Sequence, residues 1–358
     1  MRLPILPEES TIPICDFSDW NDSNEPSSRE NFLKTWDYAF RTFGFVMLVN
    51  HGLEKKYRAL NSQLELFFQL PLKEKMIFKI SEKYGDGGFT PRGRENVSKT
   101  FFDTMKFSRP PDAVESLILS DRSARGLPSM KNGYDDDQLL KTFRSLQSGL
   151  SELTLSVMEL MAICLGLHRS FFFEFYADKK ASTRDLRAAH YFMEPLEKGR
   201  PLPYGEHTDY TGFTFLWRST QNGLQCLDQR KTQIDLDKDF EKVMNTSSKS
   251  PWIDVPILDG YEDAIVINAG DLIERWTNGY WISNVHRVIG QNPSHAQRNS
   301  SDLGPISIAH FTGPAGSTKV KVLTESAKVR STGKIKPGWE TPITASEHLL
   351  MKLKASNK

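Results

Sequence analysis

The sequence predicts a mainly β fold, a β-sandwich or jelly roll, supported by helices in the first half of the chain. After about residue 185, short β-favourable runs such as FTFLW, LQCL, AIVINA and ISIAHF alternate with turn residues. Many short strands that follow a helical region are typical of this class. Before that point, apolar residues recur at helical spacing, most extensively between Leu139 and Leu167.

The elements of the first half can be assigned in chain order. The run IPICDF at residues 12–17 predicts a short strand, and the apolar residues from Phe32 to Phe43 recur at helical spacing. FVMLVN predicts a second strand, whereas the Gly- and Pro-containing run GDGGFTPRGREN predicts a loop. The amphipathic stretch over Leu139–Leu167 predicts the longest helix in the chain.

The second half contains the strand-like runs AAHYF, FTFLW, LQCL, WIDVPI, AIVINA, WISNVHRVI and ISIAHF. Between two of them, residues 229–250 are polar and charged and form a connection longer than the usual hairpin. We expect this segment to be a surface excursion with a helix inserted between core strands. Such long connections often act as binding loops, so it could close over a substrate.

Composition restricts the classes of function. With 358 residues, of which 38% are hydrophobic, the chain can form one large domain or two modest ones with a sizeable core. The net charge of +1 indicates no polyanionic partner. Cys15, Cys164 and Cys226 form no CxxC pair, and no stretch resembles a signal peptide or a membrane span. We expect a soluble, monomeric, cytoplasmic protein that binds neither nucleic acid nor membranes.

A candidate metal site begins in GEHTDYTGFTF, at residues 205–215. His207 and Asp209 are two residues apart at a strand end, and side chains at this spacing point the same way. Alone, a His-x-Asp is a weak signal. A third ligand is available in His286, on the run WISNVHRVI. Two imidazoles and one carboxylate leave metal positions open, which suits non-haem Fe(II) oxygenases, although they would also hold the Zn²⁺ of a hydrolase.

The remaining histidines are expected to be structural or exposed, because buried polar groups usually find ordinary hydrogen-bond partners. They are His51, His168, His190, His295, His310 and His348. The choice of His207 and His286 therefore depends on their sequence context.

Several longer motifs occur in a specific order: IPICDF, FGFVMLVNHGL and FFQLPLKEK, then HTDYTGFTFL, NGLQCLD, WIDVP, VINAGDLIERWTNG and SNVHRV. Together they resemble the 2-oxoglutarate and Fe(II)-dependent dioxygenase superfamily of the isopenicillin N synthase type, over nearly the whole chain. The resemblance implies a distorted double-stranded β-helix, or jelly-roll, core. It also implies Fe(II) held by His207, Asp209 and His286, with 2-oxoglutarate and O₂ as co-substrates.

The resemblance further implies a division of the chain into three parts. Residues 1–180 would form the N-terminal dioxygenase region with the long support helix. Residues 181–320 would form the jelly-roll core that binds Fe(II) and 2-oxoglutarate, and residues 321–358 a C-terminal segment.

The site for 2-oxoglutarate departs from the family pattern. The resemblance suggests Tyr191 and Ser307 as contacts of the co-substrate, although Phe192 stands where the family has proline. The family carries an Arg-x-Ser on the strand of this serine, but Pro305 occupies the arginine position. We expect Arg298, which begins an earlier Arg-x-Ser, to pair with the distal carboxylate, with Arg218 as the alternative.

The implied reaction is oxidation of an unactivated C–H bond in a small molecule of specialised metabolism, by hydroxylation, desaturation or ring closure. 2-Oxoglutarate would be converted to succinate and CO₂. A narrower possibility is ring closure of an amino-acid-derived polyacid, as in the kainoid synthases. Arg92 and Arg94 could then contact the acid, although exposed arginines in a loop are common. The sequence also leaves open an Fe(II) oxidase that does not use 2-oxoglutarate, a zinc hydrolase and a catalytically silent binding module.

Overall fold

The structure is a computed structural model that describes residues 12–21, 26–79, 87–99, 110–120, 136–177, 185–192, 202–219, 223–230, 251–290 and 303–356. Its strands are β1 (Ile14–Asp16), β2 (Phe45–Val49), β3 (Gly88–Thr90), β4 (Val114–Leu119), β5 (Leu186–Tyr191), β6 (Tyr204–His207), β7 (Phe213–Arg218), β8 (Leu224–Leu227), β9 (Trp252–Asp254), β10 (Ile265–Ala269), β11 (His286–Val288), β12 (Ile306–Phe311), β13 (Lys319–Val320) and β14 (Ile343–Thr344).

The helices complete the set of elements. They are α1 (Phe17–Asn21), α2 (Pro26–Thr42), α3 (Glu54–Gln69), α4 (Leu72–Lys75), α5 (Asp136–Cys164), α6 (Phe173–Tyr176), α7 (Asp271–Trp276), α8 (Ala327–Arg330) and α9 (Ala345–Ser356), with a 3₁₀ turn at Met76–Phe78. The predicted long helix is thus present as α5, shifted by three residues towards the N-terminus at each end. The predicted strand in WISNVHRVI is confined to β11.

Two sheets form the core of the fold. The large sheet has the strand order β1-β2-β10-β7-β12-β5-β4-β3, and the small sheet has the order β6-β11-β8-β9. From β5 to β12 the chain alternates between the two sheets except at β8 and β9, which pair with each other in the small sheet. This arrangement confirms the predicted double-stranded β-helix with helical support. β2 pairs with β10 and β4 with β5, so N-terminal strands extend the core sheet on both sides.

The large sheet is buried on both faces, and this explains its nearly continuous apolar strands. In β2, Val46 and Leu48 join the core cluster that contains the helical residues, whereas Phe45 and Met47 join a second cluster with residues of the small sheet. Alternate residues of a strand point to opposite faces. One face therefore packs against helices such as α3 and α5, and the other faces the small sheet and contributes to the site.

The three cysteines, Cys15, Cys164 and Cys226, are buried free thiols. No helix in the described ranges is long and apolar enough to cross a bilayer. Of the segment expected to insert a helix, residues 231–250 lie outside the described residues. Arg298 and His295 also lie outside them.

Candidate functional site

His207, Asp209 and His286 converge between the two sheets. His207 ends β6, and its antiparallel partner is His286, the first residue of β11. The two imidazole centroids are 4.1 Å apart. Asp209 follows His207 by two residues in the connection to β7. Ligand atoms of the three side chains lie within 4.8 Å of one another, and all three residues are buried.

Backbone carbonyls orient both imidazoles. Nδ1 of His207 donates to the Gly205 carbonyl at 2.8 Å, and Nδ1 of His286 donates to the Asn284 carbonyl at 3.0 Å. A neutral imidazole carries one N–H, so each Nε2 keeps a lone pair. These Nε2 atoms lie 3.8 and 3.9 Å from Oδ1 of Asp209. Burial and the neighbouring His286 lower the pKa of His207, which favours the neutral form needed in a metal ligand.

The carboxylate of Asp209 is oriented by two residues that the sequence analysis missed. Its Oδ2 accepts hydrogen bonds from Thr214 Oγ1 on β7 and Asn268 Nδ2 on β10, each at 2.5 Å. Oδ1 therefore faces the imidazoles. Asn268 is the only polar residue of the fully buried strand β10. A lone amide in such an apolar run was a signal that could have indicated a role in the site.

A close backbone approach supports the strand that carries His207. A Cβ atom at Gly205 would clash with Ser98 Oγ, so a side chain at this position would displace Ser98. The Gly205 N–H also donates to Asp112 Oδ1 at 3.0 Å. Glycine thus allows β6 to pack closely against the segment at residues 95–99.

Tyr191 and Ser307, the suggested contacts of 2-oxoglutarate, are brought together in the structure. Their hydroxyl oxygens are 2.9 Å apart, and both residues line the same cavity as the three metal-ligand candidates. Burial raises the pKa of Tyr191, so its hydroxyl stays protonated and can donate a hydrogen bond. Arg218 lies directly opposite Ser307 on the neighbouring strand.

The cavity has a volume of about 330 Å³ and is enclosed by both sheets and the C-terminal helix. Much of its wall is apolar, including Leu216, Val288 and Phe311, and Leu349 and Leu353 of α9 also contribute. Arg187 is the only arginine or lysine in the described wall.

Arg187 is buried and already paired. It forms an ion pair with Glu95 at 2.6 Å, and its guanidinium carbon lies 4.8 Å from the ring centroid of Tyr204. Neither Arg187 nor Glu95 was predicted from the sequence to be a site residue. Arg187 follows an apolar residue in β5, and Glu95 lies in a loop, so no local pattern connects them.

The other described histidines lie outside the candidate metal site, and most of them contact ordinary hydrogen-bond partners. His51 bonds to the Asp263 carbonyl at 2.9 Å, His190 bonds to Glu115 at 2.9 Å, and His348 contacts Asp271 at 3.3 Å. His310 is buried, and His168 is exposed beside Ser170. The loop arginines Arg92 and Arg94 are also exposed, with Arg92 lying over the ring of Phe192.

The donor set fits a first-row metal ion with open coordination positions. Two neutral imidazoles and one monodentate carboxylate oxygen are the ligands of the 2-His-1-carboxylate arrangement found in Fe(II) oxygenases. Hydrogen bonds from Thr214 and Asn268, and to the carbonyls of Gly205 and Asn284, orient these ligands, as is usual around metal sites.

Two families match the chain on either side of the support helix. Residues 12–138 match the non-haem dioxygenase in morphine synthesis N-terminal family, and residues 184–314 match the 2OG-Fe(II) oxygenase superfamily. The two matched regions together cover more than half of the chain.

Curated relatives include plant and fungal enzymes. Gibberellin 20 oxidase 4 of Arabidopsis thaliana is 25% identical over 80% of this chain and 68% of its own length. The 2-oxoglutarate-dependent dioxygenase traH of Penicillium crustosum is 24% identical, over 79% of this chain and 81% of its own.

Solved structures agree in fold. A full-length Neurospora crassa protein, in complex with alpha-KG and thymine, superimposes with a TM-score of 0.71 at 24% identity, covering 98% of each chain. The family matches and the curated relatives show that the chain belongs to the 2OG-Fe(II) oxygenase superfamily and is an Fe(II)- and 2-oxoglutarate-dependent dioxygenase.

Proposed function

We propose that His207, Asp209 and His286 hold one Fe(II) and that 2-oxoglutarate binds beside it, in contact with Tyr191 and Ser307. The observation that carries this proposal is the convergence of the three ligand atoms within 4.8 Å at the wall of a buried cavity. When bound, iron with 2-oxoglutarate and O₂ supplies the oxidising power for a C–H bond, with release of succinate and CO₂.

The residues of the chain have four tasks in this reaction. The three ligands occupy one side of the metal and leave the other side open for co-substrates. Asn268 and Thr214 keep Asp209 in its ligating orientation. The apolar wall excludes water, and the cavity holds the substrate so that one C–H bond faces the reacting centre.

We infer a small, largely apolar substrate of specialised metabolism, with a few polar groups. The many apolar residues of the wall, together with Tyr204 and Tyr210, support this class. The Arabidopsis thaliana relative, a gibberellin 20 oxidase by name, acts on a small molecule, which is consistent with this class. The polyacid alternative finds little support, because Arg187 is already neutralised by Glu95 and a second cation is absent from the described wall. The three free thiols support a location in the reducing cytoplasm.

The proposal is tested by anaerobic titration of the Fe(II)-loaded protein with 2-oxoglutarate. We expect a visible absorption band from the metal and the bound keto acid, with one iron per chain. A panel of small molecules is then screened for perturbation of this band, and hits are tested in air for succinate release. Absence of the band in protein that has bound iron would contradict the proposal and favour an oxidase that does not use 2-oxoglutarate.

A further inference from the structure

Arg218 ends β7 at the position directly opposite Ser307 of β12 in antiparallel pairing. Directly opposed residues of neighbouring strands lie on the same face of a sheet. The alternation along β7 supports this placement, because Thr214 and Leu216 line the cavity and Arg218 is the next residue of that series. Arg218 therefore belongs to the inner face of the large sheet, beside the Tyr191–Ser307 hydroxyl pair.

The guanidinium of Arg218 is buried without a carboxylate partner in the described part of the chain. Arg218 is 3% exposed, and its two recorded hydrogen bonds go to the backbone carbonyls of Val255 at 2.6 Å and Pro256 at 2.8 Å. Burial lowers its pKa to about 10, and the main opposing influence is the nearby Tyr191. By contrast, two of the other buried arginines, Arg187 and Arg287, form ion pairs with Glu95 and Glu206.

A buried cation without a counter-charge is unfavourable, and this cost is offset when an anion binds. The two carbonyls use two of the five N–H groups of the guanidinium, so three remain for another acceptor. The hydrogen bonds to the Val255 and Pro256 carbonyls also hold the guanidinium in place before any ligand binds. Arg218 is absent from the described cavity wall, but it pairs with Ser307 across the strands and interacts electrostatically with Tyr191, and the hydroxyls of both residues line the cavity. A guanidinium and two hydroxyls are donors of the kind that suits a carboxylate.

We propose that Arg218 pairs with the distal carboxylate of 2-oxoglutarate and replaces the arginine that would otherwise precede the serine of β12. Pro305, two residues before Ser307, carries no charge and no N–H. The cationic partner is thus supplied by the neighbouring strand, on the same face and next to the same serine. This inference rests on the proposed binding of 2-oxoglutarate at the Tyr191–Ser307 pair.

The test compares two keto acids on Fe(II)-loaded protein without O₂. One is 2-oxoglutarate, and the other is 2-oxopentanoate, in which a methyl group replaces the distal carboxylate. Affinity is read from the absorption band of the metal–keto acid complex. We expect Arg218→Gln to lower the affinity for 2-oxoglutarate by about 10- to 1,000-fold, because it removes one member of a buried ion pair. The affinity for 2-oxopentanoate should change little, so the preference for the dicarboxylate is lost.

Three further variants sharpen the result. Arg275→Gln is the matched control, because it removes a buried arginine that also donates to two backbone carbonyls, those of Gly338 and Thr341, but is absent from the described cavity wall, and it should keep the preference for 2-oxoglutarate. Arg298→Gln should also keep it. The double variant Arg218→Gln/Pro305→Arg should regain part of the lost affinity, because it returns a cation to the face of Ser307.

The inference is overturned if Arg218→Gln keeps the preference, if it weakens both keto acids equally, or if Arg298→Gln abolishes the preference. The measurement on Arg298→Gln remains informative even if Arg218→Gln fails to fold. Arg218→Lys provides a second test in which the positive charge is retained. For this variant we expect a preference for 2-oxoglutarate between those of wild type and Arg218→Gln. If the wild-type protein binds iron but shows no band with 2-oxoglutarate, the proposed function fails instead, independently of any arginine.

Discussion

His207 and His286 are direct antiparallel partners across β6 and β11, with their rings 4.1 Å apart. One strand pairing thus brings together two residues that are 79 positions apart in the chain. Asp209 joins them through the geometry of its own connection, since it lies only two residues beyond His207. The candidate metal site therefore depends on a single long-range register.

Removal of either imidazole should abolish iron binding. In His207→Ala and His286→Ala we expect loss of stoichiometric iron and of succinate production, with an unchanged far-UV circular dichroism spectrum, because each removes a ligand without filling its place. His168→Ala, at an exposed histidine, is the control and should bind iron normally. Stoichiometric iron and normal turnover in either alanine variant would contradict the assignment.

Residues that orient Asp209 should affect iron affinity without being ligands. Thr214→Val keeps the shape of the side chain but removes the donor to Oδ2, and Asn268→Ala removes the other donor. We expect each to weaken iron binding by about 10- to 100-fold, the usual effect of losing such a supporting hydrogen bond. Competition with a calibrated chelator measures this affinity. Thr214→Ser keeps the hydroxyl and should remain close to wild type; equal losses in both threonine variants would indicate a packing effect.

The hydroxyls of Tyr191 and Ser307 should act as one unit in binding 2-oxoglutarate. Tyr191→Phe and Ser307→Ala are each expected to lower the affinity for 2-oxoglutarate by about tenfold or more, because a hydrogen bond to a charged group contributes roughly 1.5–3 kcal/mol. The two hydroxyls are in contact, so the double variant should lose less than the product of the single effects. Multiplicative losses in the keto-acid titration would show that the two groups act independently.

Removing only one member of the Arg187–Glu95 ion pair should lower the free energy of unfolding more than removing both charges together. Arg187→Met leaves a largely buried carboxylate without its partner, and we expect a loss of about 2–4 kcal/mol in the free energy of unfolding. Arg187→Met/Glu95→Gln removes both charges and keeps an acceptor for the Ser116 hydroxyl, so it should be more stable than Arg187→Met. Urea denaturation of the metal-free proteins measures both. A double variant no more stable than Arg187→Met would contradict this account.

Docking of the C-terminal helix should weaken at acidic pH. Burial raises the pKa of Asp271, but the hydrogen bond with His348 and the charge of Lys352 outweigh it and lower the pKa to about 2. Because the folded-state pKa lies below the ordinary value of 3.8, this carboxylate contributes stability above about pH 4. That contribution is lost as the pH falls towards 2.

The helix α9 also contributes Leu349 and Leu353 to the cavity wall, so its release would open the site. Unfolding free energies of metal-free wild type and Lys352→Met should therefore differ most near neutral pH and converge as the pH falls towards 2. Lys354→Met, on the same helix but absent from the ion pairs of Asp271, is the control. A difference that is independent of pH would contradict the proposed role of the ion pair.

The sequence alone predicted those features that depend on local spacing or on ordered motifs. The alternation of apolar residues and turns predicted the β core, and helical periodicity predicted the helix now described as α5 (Asp136–Cys164). His207 and Asp209 share a side of the chain because side chains two residues apart in a strand point the same way. His286 was selected by the context of its motif.

Only the tertiary structure shows that Asn268 and Thr214 donate hydrogen bonds to Asp209. It also shows the ion pair between Arg187 and Glu95 and the pairing of Arg218 with Ser307 across neighbouring strands. The periodicity of a strand specifies which face a side chain occupies, but not which distant strand lies beside it or in which register. That choice depends on the packing of both faces of the large sheet and on the connections that join the strands. The physical role of a residue such as Arg218, a buried cation without a carboxylate partner among the described residues, therefore becomes visible only when its neighbours are known.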